Sequence, residues 1–147
     1  MRDSSLYLDK LLQELKNKFS LSDYELEFLK ELNLELKKPL PSTRLGLEER
    51  VNVLDMYKLE LHNILYMLEN KFNEINYQYR EKYNQQHSRL VRLGRPSEAA
   101  IEAEIWLDKG LKSQRDLLQD WEVFKNLLTS YLSTIKSCKD SCMYKVV

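Results

Sequence analysis

Apolar residues recur at steps of three and four along two stretches of the chain, Leu47 to Leu93 and Glu98 to Ser137. A repeat of this kind, sustained over several heptads, is typical of helices that pack along a coiled-coil seam. The cluster Gly94-Arg95-Pro96-Ser97 separates the two stretches and contains residues that end helices. The pattern therefore predicts two long helices joined by one corner, forming an antiparallel hairpin that is coiled-coil-like. The predicted seams consist of Leu54, Tyr57, Leu61, Leu65, Leu68, Phe72, Ile75 and Tyr79 in the first helix, and of Leu107, Leu111, Gln114, Leu118, Trp121, Phe124, Leu128, Leu132 and Ile135 in the second.

The N-terminal part of the chain, residues 1–38, predicts two short amphipathic helices. Ser22 stands three residues before Glu25, a spacing that fits a capping box at the start of the second helix. Pro39 and Pro41 end that helix, because proline lacks a backbone N–H and restricts the residue before it. We therefore predict a linker over residues 39–47, followed by the hairpin over residues 48–140.

Composition supports an all-α fold, since the chain has three glycines, three prolines and 31% charged residues. The net charge is zero, which argues against a protein that is basic throughout. Arg2 and Asp3 open an amphipathic segment, so we expect no signal peptide, no membrane span and a cytoplasmic location. In that compartment Cys138 and Cys142 are expected to be free thiols, the alternatives being a zinc site or a disulfide.

Candidate catalytic chemistry is sparse in this sequence. The two histidines, His62 and His87, are 25 residues apart on one predicted helix, or about 37 Å at 1.5 Å per residue. Phosphate-binding glycine loops, His-Glu-x-x-His and Gly-x-Ser-x-Gly motifs are all missing from the sequence. We therefore expect no enzymatic activity, no catalytic residues, no bound metal and no cofactor.

The second long helix carries more apolar side chains than one antiparallel partner can bury. Surplus apolar surface of this kind marks an interface, so we predict a homo-oligomer held by this helix. The alternative is that the two short N-terminal helices fold back and cover the surplus. The predicted interface residues are Ile105, Trp106, Leu117, Leu127 and Tyr131.

Basic and aromatic residues are concentrated between Asn76 and Arg95, at the predicted corner of the hairpin. Five cations and the single acid Glu81 give this segment a local charge of +4. Arginine and lysine bind phosphates, and tyrosine rings stack on unpaired bases, so we predict a site for single-stranded DNA. The alternative is a solvated helix end, and Tyr79 is left out because it belongs to the seam. The predicted DNA-binding residues are Arg80, Lys82, Tyr77, Tyr83, Arg89, Arg92 and Arg95.

Four short motifs resemble the UvsY-like recombination mediators of T-even-type phages, over residues 76–140. They are Arg80-Glu81-Lys82-Tyr83, Asp108-Lys109, Leu118-Gln119-x-Trp121 and Ile135-Lys136-Ser137. The resemblance implies a small helical protein that forms a ring of six or seven subunits in the cytoplasm of an infected host cell. It also implies a role in DNA recombination and repair, in which the ring binds single-stranded DNA. There it helps a RecA-like recombinase to displace the single-strand DNA-binding protein.

A different class of function is compatible with the same pattern. A coiled-coil scaffold or adaptor would use its helical faces and have no nucleic-acid role, and its basic segment would be incidental. Salt-dependent binding of an unpaired oligonucleotide separates the two interpretations, because phosphate contacts release counterions.

Overall fold

The computed structural model describes residues 4–95 and 97–146, which contain helices and no strands. The predicted all-α class is therefore confirmed for this part of the chain. The helices are α1 (Ser4–Phe19), α2 (Asp23–Leu36), α3 (Arg44–Arg92), α4 (Glu98–Ile105) and α5 (Lys109–Val146).

The chain forms two compact units, and both long helices contribute to each of them. The first unit comprises Met1–Leu65 and Asn126–Val147, and the second comprises Tyr66–Lys125. Each unit boundary thus falls inside a helix, whereas the sequence placed its boundaries near residues 38 and 48.

In the first unit, polar caps set the ends of the short helices. Ser22 accepts a hydrogen bond from the backbone N–H of Glu25, as expected for the N-cap of α2. Thr43 accepts from the N–H of Gly46 through its hydroxyl and from that of Leu47 through its carbonyl. These bonds begin α3 at Arg44, so the linker ends earlier than the predicted residue 47.

Arg50 ties the segment between α2 and α3 to the body of the first unit. Its guanidinium donates to the backbone carbonyls of Glu35, Lys38 and Pro39 at 3.1, 3.0 and 2.8 Å. Arg50 is buried, so these bonds satisfy the Nη1 and Nη2 groups of its guanidinium and supply a donor to carbonyls at and just after the end of α2.

The core of the first unit combines the short helices with parts of α3 and α5. The ion pair of Lys139 Nζ with Asp55 Oδ1, at 2.6 Å, joins α5 to α3 at the edge of this core. Fully buried apolar side chains fill it, among them Leu12, Leu29, Leu32, Leu54, Leu61, Leu128 and Ile135.

In the second unit, α3 and α5 pack antiparallel. The rings of Phe72 and Trp121 stack with their centroids 4.7 Å apart. Further along α3, the side chain of Gln86 donates to Asp108 Oδ2 at 3.3 Å. Later residues of α3 therefore contact earlier residues of the opposite segment, which is the order of an antiparallel pair. The predicted antiparallel pairing of the two seams is confirmed in this unit.

The helix α3 ends where the sequence predicted a corner. Gly94 has a φ of 76°, in the left-handed region that favours glycine. The N–H groups of Gly94 and Arg95 donate to the carbonyls of Val91 and Leu90, which is the pattern of a Schellman motif. Pro96 lies outside the described residues, and Ser97 then caps α4 by accepting from the N–H of Ala100 at 3.2 Å.

The second predicted long helix is wrong as a single element, because it is broken at residues 106–108. Asp108 accepts hydrogen bonds from the N–H groups of Gly110 and Leu111 at 2.9 and 3.2 Å, and so starts a new helix, α5. Leu107 was placed in the seam, but it lies in the break and is 78% exposed.

Candidate nucleic-acid interface

The end of α3, the short helix α4 and the start of α5 meet around one apolar cluster. Its buried members are Leu90, Ile101, Ile105 and Leu111, and we call this group the tip cluster. Ile105 was predicted to lie in an oligomer interface because the chain seemed unable to cover it. The side chain is instead fully buried within its own chain, as a member of the tip cluster, and offers no free apolar surface in this copy.

Half-buried aromatic rings cover the tip cluster. The ring of Tyr83 lies 5.8 Å from that of Trp106 and 6.3 Å from that of Tyr79, measured between centroids. Burial raises the pKa of Tyr83, and the charges of Glu102 and Glu98 raise it further. Tyr83 is therefore a packing residue, which corrects the prediction that its ring is free to stack on bases.

Trp106 is also engaged within the second unit. The guanidinium of Arg115 lies over its indole ring, 4.3 Å from the centroid, in a cation–π contact. The predicted interface residues Leu117, Leu127 and Tyr131 are half-buried, and burial raises the pKa of Tyr131. These four side chains thus keep part of their surface open to solvent, and their place in an oligomer interface stays a prediction.

Acidic side chains follow immediately after the basic segment. Residues 97–108 contain Glu98, Glu102, Glu104 and Asp108 and no lysine or arginine. Arg95 Nε pairs with Glu104 Oε1 at 2.9 Å, and His87 Nε2 lies 2.8 Å from Glu98 Oε1. The local charge of +4 is therefore balanced by four neighbouring acids, and Arg95 is engaged by one of them.

The remaining cations of α3 lie on two flanks of the helix. At 3.6 residues per turn, Lys82 and Arg89 are about half a turn away from Arg80. Arg80 lines a groove of about 270 Å³ together with Arg115, while Arg92 lies near Arg89 in a different groove. The structure thus brings Lys82, Arg89 and Arg92 to one exposed side, which we call the cationic row, and leaves Arg80 apart.

The cationic row is open to solvent and lacks acidic partners. Within the part of the chain that the structure describes, no carboxylate forms an ion pair with Lys82, Arg89 or Arg92. Arg89 instead donates to the side-chain oxygen of Gln86 at 3.4 Å. Tyr77, five residues before Lys82 and about 140° from it around the helix, is 67% exposed.

Three polar residues that the sequence interpretation missed lie beside the arginines of the row. Asn84, Gln85 and Ser88 line an open groove with Arg89 and Arg92. Such side chains commonly contact phosphate and sugar oxygens. The signal was present, because these positions continue the steps of three and four that place residues on one helical face. It was overlooked because charge and aromaticity were given all the weight.

The described residues hold neither a cluster of metal ligands nor a helix that could span a membrane. Among residues 4–95 and 97–146, histidine, cysteine and acidic side chains do not come together in threes as a metal site would need. Cys138 is half-buried and Cys142 is buried, and both are free thiols. None of the described helices has the length and apolar character needed to cross a bilayer.

Comparison with known proteins adds no relative to this description. No protein-family model, no curated protein and no solved structure matches the chain.

Proposed function

We propose that the protein binds single-stranded DNA through the cationic row and Tyr77, as a recombination mediator that favours a RecA-like recombinase over a single-strand DNA-binding protein. The exposed row carries the binding part of this proposal. It presents Lys82, Arg89 and Arg92 on one side of α3, where Glu81 is the one carboxylate lining their grooves and forms no ion pair with them among the described residues. The mediator part rests on the short motifs that resemble UvsY-like proteins.

Binding at such a row is chiefly electrostatic. Each phosphate that a cation neutralises on a single strand releases counterions, which contributes about −0.7 to the slope of log affinity against log salt. The Tyr77 ring adds base stacking, worth on the order of 1–3 kcal/mol with little dependence on salt. Affinity should therefore depend on salt and hardly on base sequence.

One row of three cations is a weak site, so the proposed function requires several copies acting together. Joining copies in a ring of six or seven, as the resemblance implies, raises the effective concentration of each further site on a bound strand. To favour the recombinase, the assembly must bind one conformation of the strand more tightly than another, and that conformation must be the one the recombinase binds. Without such a difference in affinity it could not shift the exchange with the single-strand DNA-binding protein.

The test replaces the two cations that share a flank. Lys82→Ala with Arg89→Ala should weaken binding of an unpaired oligonucleotide and flatten the salt slope by about 1.4, the contribution of two phosphates. The matched control, Lys37→Ala with Lys58→Ala, removes the same charge at two exposed positions of the first unit and should leave the slope unchanged. Equal binding by the Lys82/Arg89 variant and the wild type at moderate salt would refute the site.

The scaffold or adaptor remains the second candidate, and one observation favours it. The acids of residues 97–108 cancel the charge of the preceding segment, so the tip as a whole does not attract phosphate. If oligonucleotide binding is absent at low salt, the adaptor is the better interpretation.

A further inference from the structure

An open apolar groove lies between α2 and α3 in the first unit. It has a volume of about 360 Å³ and is lined by Tyr24, Phe28, Met56 and Tyr57, with Glu31 and Glu60 also in its wall. The rings of Phe28 and Tyr57 pack against each other with centroids 5.5 Å apart. Two large side chains at the groove, Tyr24 and Met56, are 65% and 72% exposed. Apolar surface of this kind gains free energy when a partner removes it from water.

The groove is acidic as well as apolar. The charge of Glu60 raises the pKa of the Tyr24 phenol, and burial, a hydrogen bond to Glu60 and the charge of Glu31 raise it further. Burial raises the pKa of Tyr57, with the charges of Glu31 and Glu35 adding to it and that of Lys38 opposing it. The charge of Glu31 thus raises the pKa of both phenols, so the groove is negatively charged as well as apolar. Such a groove fits an occupant that carries both apolar and basic side chains.

The chain itself contains a segment with that chemistry, at the end of α3 in the second unit. Val91 and Leu93 are exposed apolar side chains, and Arg92 stands between them without an ion pair to any described carboxylate. Residues 89–95 contain three arginines and no acid. The hydrogen bond from Leu93 N–H to the Arg89 carbonyl and the Gly94 turn hold this segment in a fixed conformation, so little entropy is lost when it docks.

We propose that the acidic groove of one copy binds the segment Val91–Leu93 of a second copy. Leu93 would cover Tyr24 and Met56, and Arg92, about 100° from it around the helix, would pair with Glu31 and Glu60, while Val91 lies about 200° from Leu93 and outside the contact. The contact joins two different surfaces, the groove of one copy and the segment of the next. At each end of a growing assembly one copy still has a free groove or a free segment, so further copies add until the assembly closes into a ring. The inference rests on the proposed function for the need to assemble, while its two surfaces are argued from burial and charge alone. In the assembly Arg92 belongs to the contact, and Lys82 and Arg89 are the cations of the row that stay available to the strand.

A charge exchange on the full-length protein, in the absence of DNA, tests the contact. Variant one carries Glu31→Lys and Glu60→Lys, and variant two carries Arg92→Glu. Each alone places like charges across the contact and should dissociate at least about tenfold more readily than the wild type in light scattering. An equimolar mixture restores both complementary contacts and should assemble again.

Two further variants keep the result unambiguous. Leu93→Ser, at an exposed position, removes only an apolar contact and should weaken assembly as Arg92→Glu does, while helicity stays unchanged. Glu14→Lys with Glu49→Lys makes the same charge change at exposed positions outside the groove and should assemble like the wild type. A wild type that stays monomeric at tens of micromolar (an order of magnitude), or a mixture that fails to reassemble, overturns the proposal. Loss of DNA binding by the Lys82/Arg89 variant with assembly intact would leave it standing.

Discussion

Arg50 shows how one buried charge can organise a connection between helices. Its guanidinium holds three backbone carbonyls around the linker, a role that the sequence interpretation did not assign to it. Hydrophobic periodicity treats an arginine as a surface residue, and nothing local to Arg50 reveals carbonyls that lie up to fifteen residues earlier. Only the folded chain brings them together.

Replacing Arg50 with methionine should destabilise the protein, because the apolar side chain removes the donor of the Lys38 and Pro39 carbonyls, whereas the Glu35 carbonyl keeps the Lys38 N–H. Hydrogen bonds from a charged donor are worth about 1.5–3 kcal/mol each, so we expect a loss of roughly 3 kcal/mol in the free energy of unfolding. Denaturant titration measures it as a lower midpoint at unchanged slope. Arg50→Lys should recover only part of the loss, since lysine lacks the planar fork. A methionine variant within about 1 kcal/mol of the wild type would contradict this role.

The two cysteines should differ in reactivity although only four residues separate them. Cys142 is fully buried and its pKa is raised by burial, whereas Cys138 is half-buried. Alkylation requires the thiolate and access to it. In the native protein at neutral pH, iodoacetamide should therefore modify Cys138 first, with Cys142 reacting only in denaturant. Mass spectrometry follows both sites, and Cys138→Ser should abolish the fast phase. Equal rates at the two thiols would show that the end of α5 opens readily.

At the scale of elements, the sequence predicted what depends on neighbouring residues. The cap Ser22 and the corner at Gly94 were identified correctly, because each acts on backbone groups within a few positions. The break before α5 was missed, because Leu107 continues the apolar periodicity through it. Ile105 was assigned to an interface for the same reason, since a continuous helix would have carried it to the outside.

Asp108 sets the start of α5, so its removal should destabilise the first turn of that helix. Substituting an N-cap acid by alanine costs about 0.5–2 kcal/mol, so Asp108→Ala should lower the free energy of unfolding by roughly 1 kcal/mol. Amide hydrogen exchange at Gly110 and Leu111 should accelerate, because their N–H groups lose their acceptor. Asp108→Asn keeps a capping oxygen and should remain close to the wild type. If the asparagine variant is as unstable as the alanine variant, the cap is not what holds this helix start.

At the scale of the whole molecule, zero net charge conceals strong segregation along the chain. The basic segment 76–95 and the acidic segment 97–108 carry opposite charges of similar size. Both were readable from the sequence, but their mutual neutralisation, as in the pair Arg95–Glu104, depends on how α4 folds back. Of the seven predicted DNA-binding residues, Arg95 is set aside for this reason, Tyr83 because its ring packs on the tip cluster, and Arg80 because it lies on another flank of α3. The cationic row and Tyr77 are left.

Titration of buried phenols should make the whole protein less stable in alkali. Burial raises the pKa of Tyr57, Tyr79, Tyr83 and Tyr131 above the ordinary value of 10.0, and that of Cys142 above 9.0. Because these acids hold their protons more tightly in the native state, their stabilising contribution is complete below the ordinary values and is lost as the pH rises through the raised ones. The free energy of unfolding should therefore fall between about pH 9 and 11, a window around the ordinary pKa values of thiols and phenols.

The same prediction can be resolved to one side chain by comparing two tyrosines of α5. Tyr131→Phe removes a phenol whose pKa is raised by burial alone, so the decline between neutral and alkaline pH should become shallower. Tyr144→Phe makes the same chemical change at an exposed position and serves as the matched control. Denaturant midpoints measured across the alkaline range at constant ionic strength give the comparison. The prediction fails if the wild-type midpoint does not fall from pH 9 to 11, or if the midpoints of the two variants fall equally steeply with pH. Either result would show that α5 does not shield the Tyr131 phenol from water, because an unshielded phenol ionises around a pKa of about 10.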